Sequence, residues 1–187
     1  TPVSGVAVVG AIRDGNIQRD RIFALLILFT ANVMFWMFFE QAGASFNFLA
    51  EGIVDRQMFG GWEFPVGWFQ SVNSFFIVLL APLFSMLWSK MGEHGRNPKT
   101  PVKMYLGLLQ VALGFIFLVV AVFEMQRTAD MKSGMIWLVL GYLFHTTGEL
   151  CISPVGLSMI TKLAPLRLGS LMMGVWFMIN FVANTLA

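Results

Sequence analysis

The sequence predicts an all-α polytopic membrane protein. Of its 187 residues, 57% are hydrophobic and only 12% are charged, and the mean hydropathy is +0.75. The apolar residues are grouped into five stretches, each of about 20 residues or more, which is the length that a helix needs to cross a hydrocarbon core about 30 Å thick. A water-soluble domain of this size rarely has so few charges. A bundle of membrane-spanning helices is therefore expected.

The five spans are separated by polar segments that contain glycine or proline. A first segment, residues 1–20, is expected to be a cytoplasmic connection that leads to the membrane. The chain begins at Thr1 without a signal-peptide pattern and stops at Ala187 within apolar sequence, so both ends are expected to be cut. The predicted bundle covers residues 21–187, with spans at about 21–50, 66–88, 102–123, 135–163 and 168–187.

Small residues within the spans predict where helices approach each other closely. Glycine lets two backbones come into contact, which is a common basis of helix packing in membranes. We therefore predict close helix contacts at four glycines in the third and fourth spans: Gly107, Gly114, Gly141 and Gly148.

The basic residues predict an orientation. Lys and Arg in short loops accumulate on the cytoplasmic side of a membrane. Nine of the 12 basic residues lie in or beside residues 1–20 and the second and fourth connections, and three lie on the other side. The N-terminus of this chain is therefore expected in the cytoplasm. The net charge of +2 is small, and no basic run alternates with aromatic residues, so nothing indicates nucleic-acid binding.

The sequence lacks the patterns of a metal site or a hydrolase. The single cysteine, Cys151, gives neither a disulfide nor a CxxC pattern. His145 and Glu149 have the i, i+4 spacing of two metal ligands, but a site needs at least one more, and the other histidine, His94, lies in a loop. No other span has a histidine to activate Ser153. We expect no enzyme and no cofactor.

An acidic residue marks the middle of the fourth span. Glu149 lies about 21 Å of helix from either end of this stretch, and a charge at that depth costs about 2.5 to 3.5 kcal/mol. Ser153 lies on the same helix face, and Pro154 is expected to kink the helix beside it. Glu149 therefore predicts a substrate site, since bent helices with polar residues at mid-membrane are typical of such sites in transporters. A purely structural ion pair is the alternative, with its basic partner outside this chain.

Trp36 and Glu40 have the same four-residue spacing on the first span. Residues 22–39 are long enough to cross the membrane, so Glu40 is either a membrane-exit residue or an interior acid. The apolar residues 42–50 continue without a turn signal, which favours an interior position and a role as proton carrier. Asn73 offers a polar amide that suits either a peptide backbone or a neighbouring helix. Trp176 is expected to line a pocket or to contact lipid.

Four strings of residues resemble a known family. They are FWMFFEQAGAS at 35–45, WFQSVNSFFIVLLAP at 68–82, GELCISPVGLSMITKLAP at 148–165 and MMGVWF at 172–177. Together they resemble the C-terminal half of bacterial proton-dependent oligopeptide transporters of the major facilitator superfamily. The resemblance extends from about residue 21 to residue 187. It implies a partial major facilitator fold, in which the five spans are helices seven to eleven of the C-terminal bundle.

The resemblance also implies roles for individual residues. Glu149 receives the peptide amino terminus with Ser153 beside it, Asn73 contacts the peptide backbone, and Trp176 lines the pocket. On the first span, Glu40 is implied in proton coupling, with Trp36 four residues before it. Glu51 is implied in closing an extracellular gate.

The implied function is the proton-coupled import of di- and tripeptides by alternating access in a bacterial cytoplasmic membrane. The implied partners are peptides, protons as the coupling ion, membrane lipid, and an N-terminal six-helix half. That half, with its ExxER motif, and the twelfth helix do not occur in this sequence, so the chain alone is not expected to transport. Two alternatives remain open: a structural or assembly subunit of a membrane complex, and a major facilitator carrier for another small substrate.

Overall fold

The computed structural model describes the backbone of residues 5–163 and 169–187. Its six α-helices are α1 (Gly5–Glu40), α2 (Ser45–Gly52), α3 (Trp68–Glu93), α4 (Thr100–Met125), α5 (Met135–Leu163) and α6 (Gly169–Leu186). Two short 3₁₀ turns, Gln41–Gly43 and Phe59–Gly61, and two short strands, β1 (Val54–Asp55) and β2 (Ser133–Gly134), complete the described part of the chain. Within it, five helical segments are long and apolar enough to cross a membrane, which confirms the predicted fold class.

The first predicted span differs from a single continuous helix. After Glu40 the chain forms the turn Gln41–Gly43, and α2 then begins at Ser45. Polar side chains support this break, because Ser45 Oγ donates to Gln41 Oε1 at 2.5 Å and Asn47 Nδ2 donates to the Gly43 carbonyl oxygen at 3.0 Å. The turn signal was therefore present in polar residues inside a largely apolar stretch. At its other end, α1 extends back to Gly5, so most of residues 1–20 is helical.

The α4–α5 pair is the most extensive helix contact of the bundle. The two helices are antiparallel, with Gly107 opposite Gly148 and Gly114 opposite Gly141. A Cβ atom on Gly148 would lie only 2.9 Å from the Gly107 carbonyl oxygen. The predicted close approach at these four glycines is confirmed, and it fixes α5 against α4 at the level of Glu149.

Hydrogen bonds and a short parallel strand pair join α2 to the connection between α4 and α5. Val54 pairs with Ser133, and the Ser133 amide donates to the Ile53 carbonyl oxygen at 2.8 Å. Glu124, near the end of α4, accepts hydrogen bonds from the Gly134 amide, at 3.1 Å, and from the Trp137 indole. These bonds hold the start of α5 in place.

The packed interior lies on one side of the bundle. Phe46, Phe69 and Tyr142 form an aromatic cluster between α2, α3 and α5. Phe35 packs on Ile152 further along α5. Large apolar side chains on the opposite faces of α3 and α6 are exposed, as expected of surfaces that contact lipid or other helices. α5 is helical on both sides of Pro154, whose side chain lies outside the described residues, so the kink stays a prediction.

Candidate functional site

A cavity of about 230 Å³ lies between α1, α3 and α5. It is smaller than the 300 to 1,000 Å³ typical of ligand pockets. Its lining combines aromatic rings with polar and acidic side chains: Phe39, Glu40, Ala42, Gly43, Gln70, Asn73, Tyr142 and His145. Two of the predicted site residues, Glu40 and Asn73, therefore share one cavity wall.

Glu40 lies at the point where α1 ends. It is the last residue of that helix, it is half-buried, and the turn Gln41–Gly43 follows at once. The break in the helix places the carboxylate at the cavity rather than along a helix face that contacts lipid. The described residues provide no ion pair for it.

Glu149 is also half-buried and lies beside the Asn73 side chain. Its carboxylate is near enough to that of Glu40 for the two negative charges to repel each other. Glu149 Oε2 is shielded from solvent and has no hydrogen-bond partner among the described residues. Since an unpaired buried carboxylate oxygen is costly, this atom is available to a cationic or hydrogen-bonding ligand.

Asn73 connects α3 to α5. Thr146 Oγ1 donates to Asn73 Oδ1 at 2.5 Å, and the same hydroxyl lies 2.8 Å from the Tyr142 carbonyl oxygen. The amide therefore bridges two helices, which is one of the two alternatives for this residue, and it also lines the cavity; its contact with a peptide backbone stays a prediction. Thr146 holds the amide in one orientation, with its other face toward Glu149.

His145 is a cavity residue whose role the sequence did not predict. It lies one helical turn before Glu149, it is fully buried, and both of its ring nitrogens lack hydrogen-bond partners among the described residues. In the sequence, its i, i+4 spacing from Glu149 is typical of two metal ligands and does not indicate a place in a cavity wall. Among the described residues, no group of three or more His, Cys, Asp and Glu side chains is placed to hold a metal ion.

Glu149 lies beside Asn73 but is not itself among the residues that line this cavity, and neither are the remaining predicted residues. Trp36 and Trp176 belong to one cluster between α1 and α6, in which Trp176 is 7% exposed and lies 6.0 Å from the Phe29 ring. Ser153 is half-buried one turn beyond Glu149, and Glu51 is exposed near the end of α2. Their roles stay predictions.

Comparison with protein families gives a match over nearly the whole chain. The model of the POT family, PTR2, matches residues 6–187. The peptide transporter YePEPT of Yersinia enterocolitica is 38% identical over 170 residues, which are 91% of this chain and 33% of that protein. Dipeptide and tripeptide permease B of Xenorhabdus bovienii is 32% identical over 177 residues, 95% of this chain and 36% of that protein.

Solved structures agree with this match. The crystal structure of a peptide transporter POT in complex with sulfate is similar with a TM-score of 0.81 at 39% identity, covering 90% of this chain and 33% of that one. A mutant of a peptide transporter POT in complex with alafosfalin is similar with a TM-score of 0.82 at 38% identity, covering 91% of this chain and 34% of that one. This chain thus spans about a third of the length of these relatives. With its five membrane-spanning helices and a family match from residue 6 to residue 187, the chain belongs to the POT family.

Proposed function

We propose that this chain forms part of a proton-coupled importer of di- and tripeptides. The observation that carries the proposal is the convergence of two half-buried acids, Glu40 and Glu149, with the amide of Asn73 between α1, α3 and α5. Neither acid forms an ion pair with a described residue. Acids at such positions in a membrane protein commonly serve ion or substrate pathways. The relatives named as peptide transporters support the same substrate class.

Each group has a chemical role in this proposal. Glu149 attracts the ammonium group of a peptide, because its Oε2 atom is buried and has no partner in the part of the chain that the structure describes. Asn73 provides an amide that hydrogen-bonds a peptide unit, held in place by Thr146. Glu40 takes up a proton and releases it on the other side of the membrane. Peptide binding and proton binding are coupled because the two carboxylates repel each other when both are ionised.

Transport requires the remainder of the transporter. In the proposal, an N-terminal six-helix half faces this bundle and supplies basic groups for the peptide carboxylate. The two halves rock around the central site, which opens alternately to each side of a bacterial cytoplasmic membrane. The N-terminus of this chain is on the cytoplasmic side. The break between α1 and α2 lies beside Glu40, so movement there changes the surroundings of the proton-binding group directly.

The test uses the full-length transporter in proteoliposomes. Dipeptide uptake driven by an inward proton gradient is compared with dipeptide exchange in the absence of a gradient. Glu40→Gln is expected to abolish gradient-driven accumulation and to retain exchange, because the variant still binds peptide through Glu149 and Asn73 but the glutamine carries no proton. Glu149→Gln is expected to weaken peptide binding by roughly 10- to 150-fold, the effect of losing one charge-assisted hydrogen bond.

Glu93→Gln is the matched control, since Glu93 is an exposed carboxylate at the end of α3, away from the cavity. It is expected to behave as the wild type. Accumulation by Glu40→Gln at the wild-type level would refute the coupling role. Wild-type binding by Glu149→Gln would refute the ammonium site, and the absence of any dipeptide exchange by the wild type would refute the peptide substrate class.

A further inference from the structure

Three aromatic rings pack around His145. The centroid of its ring lies 4.7 Å from that of Phe46, 5.2 Å from that of Phe115 and 5.9 Å from that of Phe39. On the α4 side it fits against Gly114, where an added Cβ would lie 2.6 Å from His145 Cδ2. The glycine is therefore required for the ring to occupy this position.

The polar atoms of this ring are not used by the fold. Both Nδ1 and Nε2 are shielded from solvent and unpaired among the described residues, although buried polar atoms are nearly always hydrogen-bonded. A phenylalanine would fill the same aromatic surroundings without that cost. The ring forms part of a cavity wall that also contains the polar side chains of Glu40, Gln70, Asn73 and Tyr142, and Glu40 is the carboxylate among these lining residues.

The charges around His145 are few. Two titratable groups share its cavity: Glu40, from α1, and Tyr142, one turn before it on its own helix; Glu149 lies one turn after it on the same helix. At this level the described parts of α2, α3, α4 and α6 present uncharged side chains, including Phe46, Asn73 and Phe115.

We propose that His145 is a positioning residue for the coupling proton and that it hydrogen-bonds Glu40 when the cavity closes. The inference rests on the proposed function and deepens it. A neutral imidazole has one donor and one acceptor nitrogen, so it can donate to a carboxylate or accept from a carboxylic acid. The break after Glu40 allows the acid to approach, because α1 does not continue as a rigid helix beyond it.

The pairing is stronger for the ionised acid. A hydrogen bond from the imidazole N–H to a carboxylate is charge-assisted, and it is roughly twice as strong as the bond to a neutral carboxyl group. Loss of the ring therefore penalises ionised Glu40 more than protonated Glu40. The proton is then retained to higher pH, and its release becomes slower.

The test measures dipeptide exchange by the full-length transporter in proteoliposomes as a function of pH. His145→Leu is expected to raise the pH of half-maximal exchange by about one unit, the equivalent of the difference between a charge-assisted and a neutral hydrogen bond. His145→Gln keeps a donor and an acceptor and is expected to stay near the wild-type midpoint. Phe117→Leu is the control for lost packing between α4 and α5, since Phe117 packs on Phe144 and Trp137 away from the cavity.

A double variant distinguishes the loss of a hydrogen bond to Glu40 from the loss of packing around the ring. In the Glu40→Gln background, His145→Leu is expected to cause no shift, because the titrating partner is gone. The inference would be overturned if His145→Leu left the pH of half-maximal exchange unchanged. It would also be overturned if the shift were equal with and without Glu40→Gln, or if Phe117→Leu caused the same shift. If His145→Leu does not fold, His145→Met, which has a similar volume and no strong hydrogen-bonding group, replaces it under the same criteria. Absence of exchange by the wild type would refute the proposed function instead.

Discussion

Replacing Gly148 by alanine is expected to destabilise the protein, although alanine favours helix more than glycine does. The added Cβ would lie 2.9 Å from the Gly107 carbonyl oxygen, 3.3 Å from Val111 Cγ2 and 3.4 Å from Phe35 Cε2. Real Cβ atoms essentially never come closer than 3.0 Å to another heavy atom, and the nearest atom here is backbone. Relief therefore requires α4 and α5 to move apart.

The magnitude follows from two opposing effects. Overpacking of a well-packed interface costs about 1 to 3 kcal/mol. Replacing glycine by alanine inside a helix recovers about 1 kcal/mol. The net expectation for Gly148→Ala is a loss of about 0 to 2 kcal/mol.

Gly141 offers a matched control on the same face of the same helix. A Cβ there would lie 3.3 Å from Leu118 Cδ2 and Phe46 Cε2, and 3.6 Å from the Gly114 carbonyl oxygen. The close neighbours are side-chain atoms that can shift, so the helix preference of alanine outweighs the smaller strain. Gly141→Ala is expected to match or exceed the wild-type stability.

Both variants are compared in the purified full-length transporter by tryptophan fluorescence during heating at one fixed scan rate. The shift in melting temperature is the change in free energy divided by the entropy of unfolding, which grows with chain length. Because the full-length relatives are about three times as long as this chain, about 1 kcal/mol corresponds to roughly 1 °C. Gly148→Ala is expected to melt roughly 1 to 3 °C below Gly141→Ala and to bind dipeptide more weakly, since α5 also holds Glu149. Equal melting temperatures for the two variants would refute the assignment of a backbone contact at Gly148.

Two further predictions concern single hydrogen bonds. Thr146→Val keeps the shape of the side chain but removes the hydroxyl that holds Asn73, so dipeptide affinity measured by calorimetry is expected to fall about 2- to 10-fold, whereas Thr146→Ser retains it. Wild-type affinity in Thr146→Val would mean that Asn73 needs no support. Glu124→Ala removes the acceptor of the Gly134 amide and the Trp137 indole, and it is expected to cost about 1 to 3 kcal/mol of stability in a melting experiment. Glu124→Gln, which keeps an acceptor oxygen, is expected to lose less, and equal losses would contradict the hydrogen-bonding explanation.

The helices themselves were largely predictable. The fourth span was predicted at 135–163 and α5 is Met135–Leu163, while the fifth was predicted at 168–187 and α6 is Gly169–Leu186. Span length is imposed by the thickness of the hydrocarbon core, so the apolar stretch itself indicates where a helix begins and ends. The break after Glu40 was not predicted, because it depends on side-chain hydrogen bonds from Ser45 and Asn47 within sequence that reads as apolar.

The candidate site was predicted in part. Glu40, Glu149 and Asn73 were selected by depth and polarity, and the structure brings them to neighbouring positions. Trp36 and Trp176 lie in one hydrophobic cluster between α1 and α6, and Trp36 also packs on Phe39, which lines the cavity, so their roles at the site stay predictions. A tryptophan in a membrane span suits a pocket wall and a helix contact equally well, so its residue type does not distinguish them.

The amino-acid sequence is enough to predict the class of fold, the number of membrane-spanning helices and the acids within the predicted spans, because a bilayer penalises charge and fixes span length. Which face of each helix points inward depends on how the helices pack. Lipid tails are as apolar as leucine, so hydrophobicity alone does not orient a helix about its own axis. That orientation follows from shape: the glycine contacts of α4 and α5 turn His145, Thr146 and Glu149 toward the interior, where they meet Glu40 and Asn73.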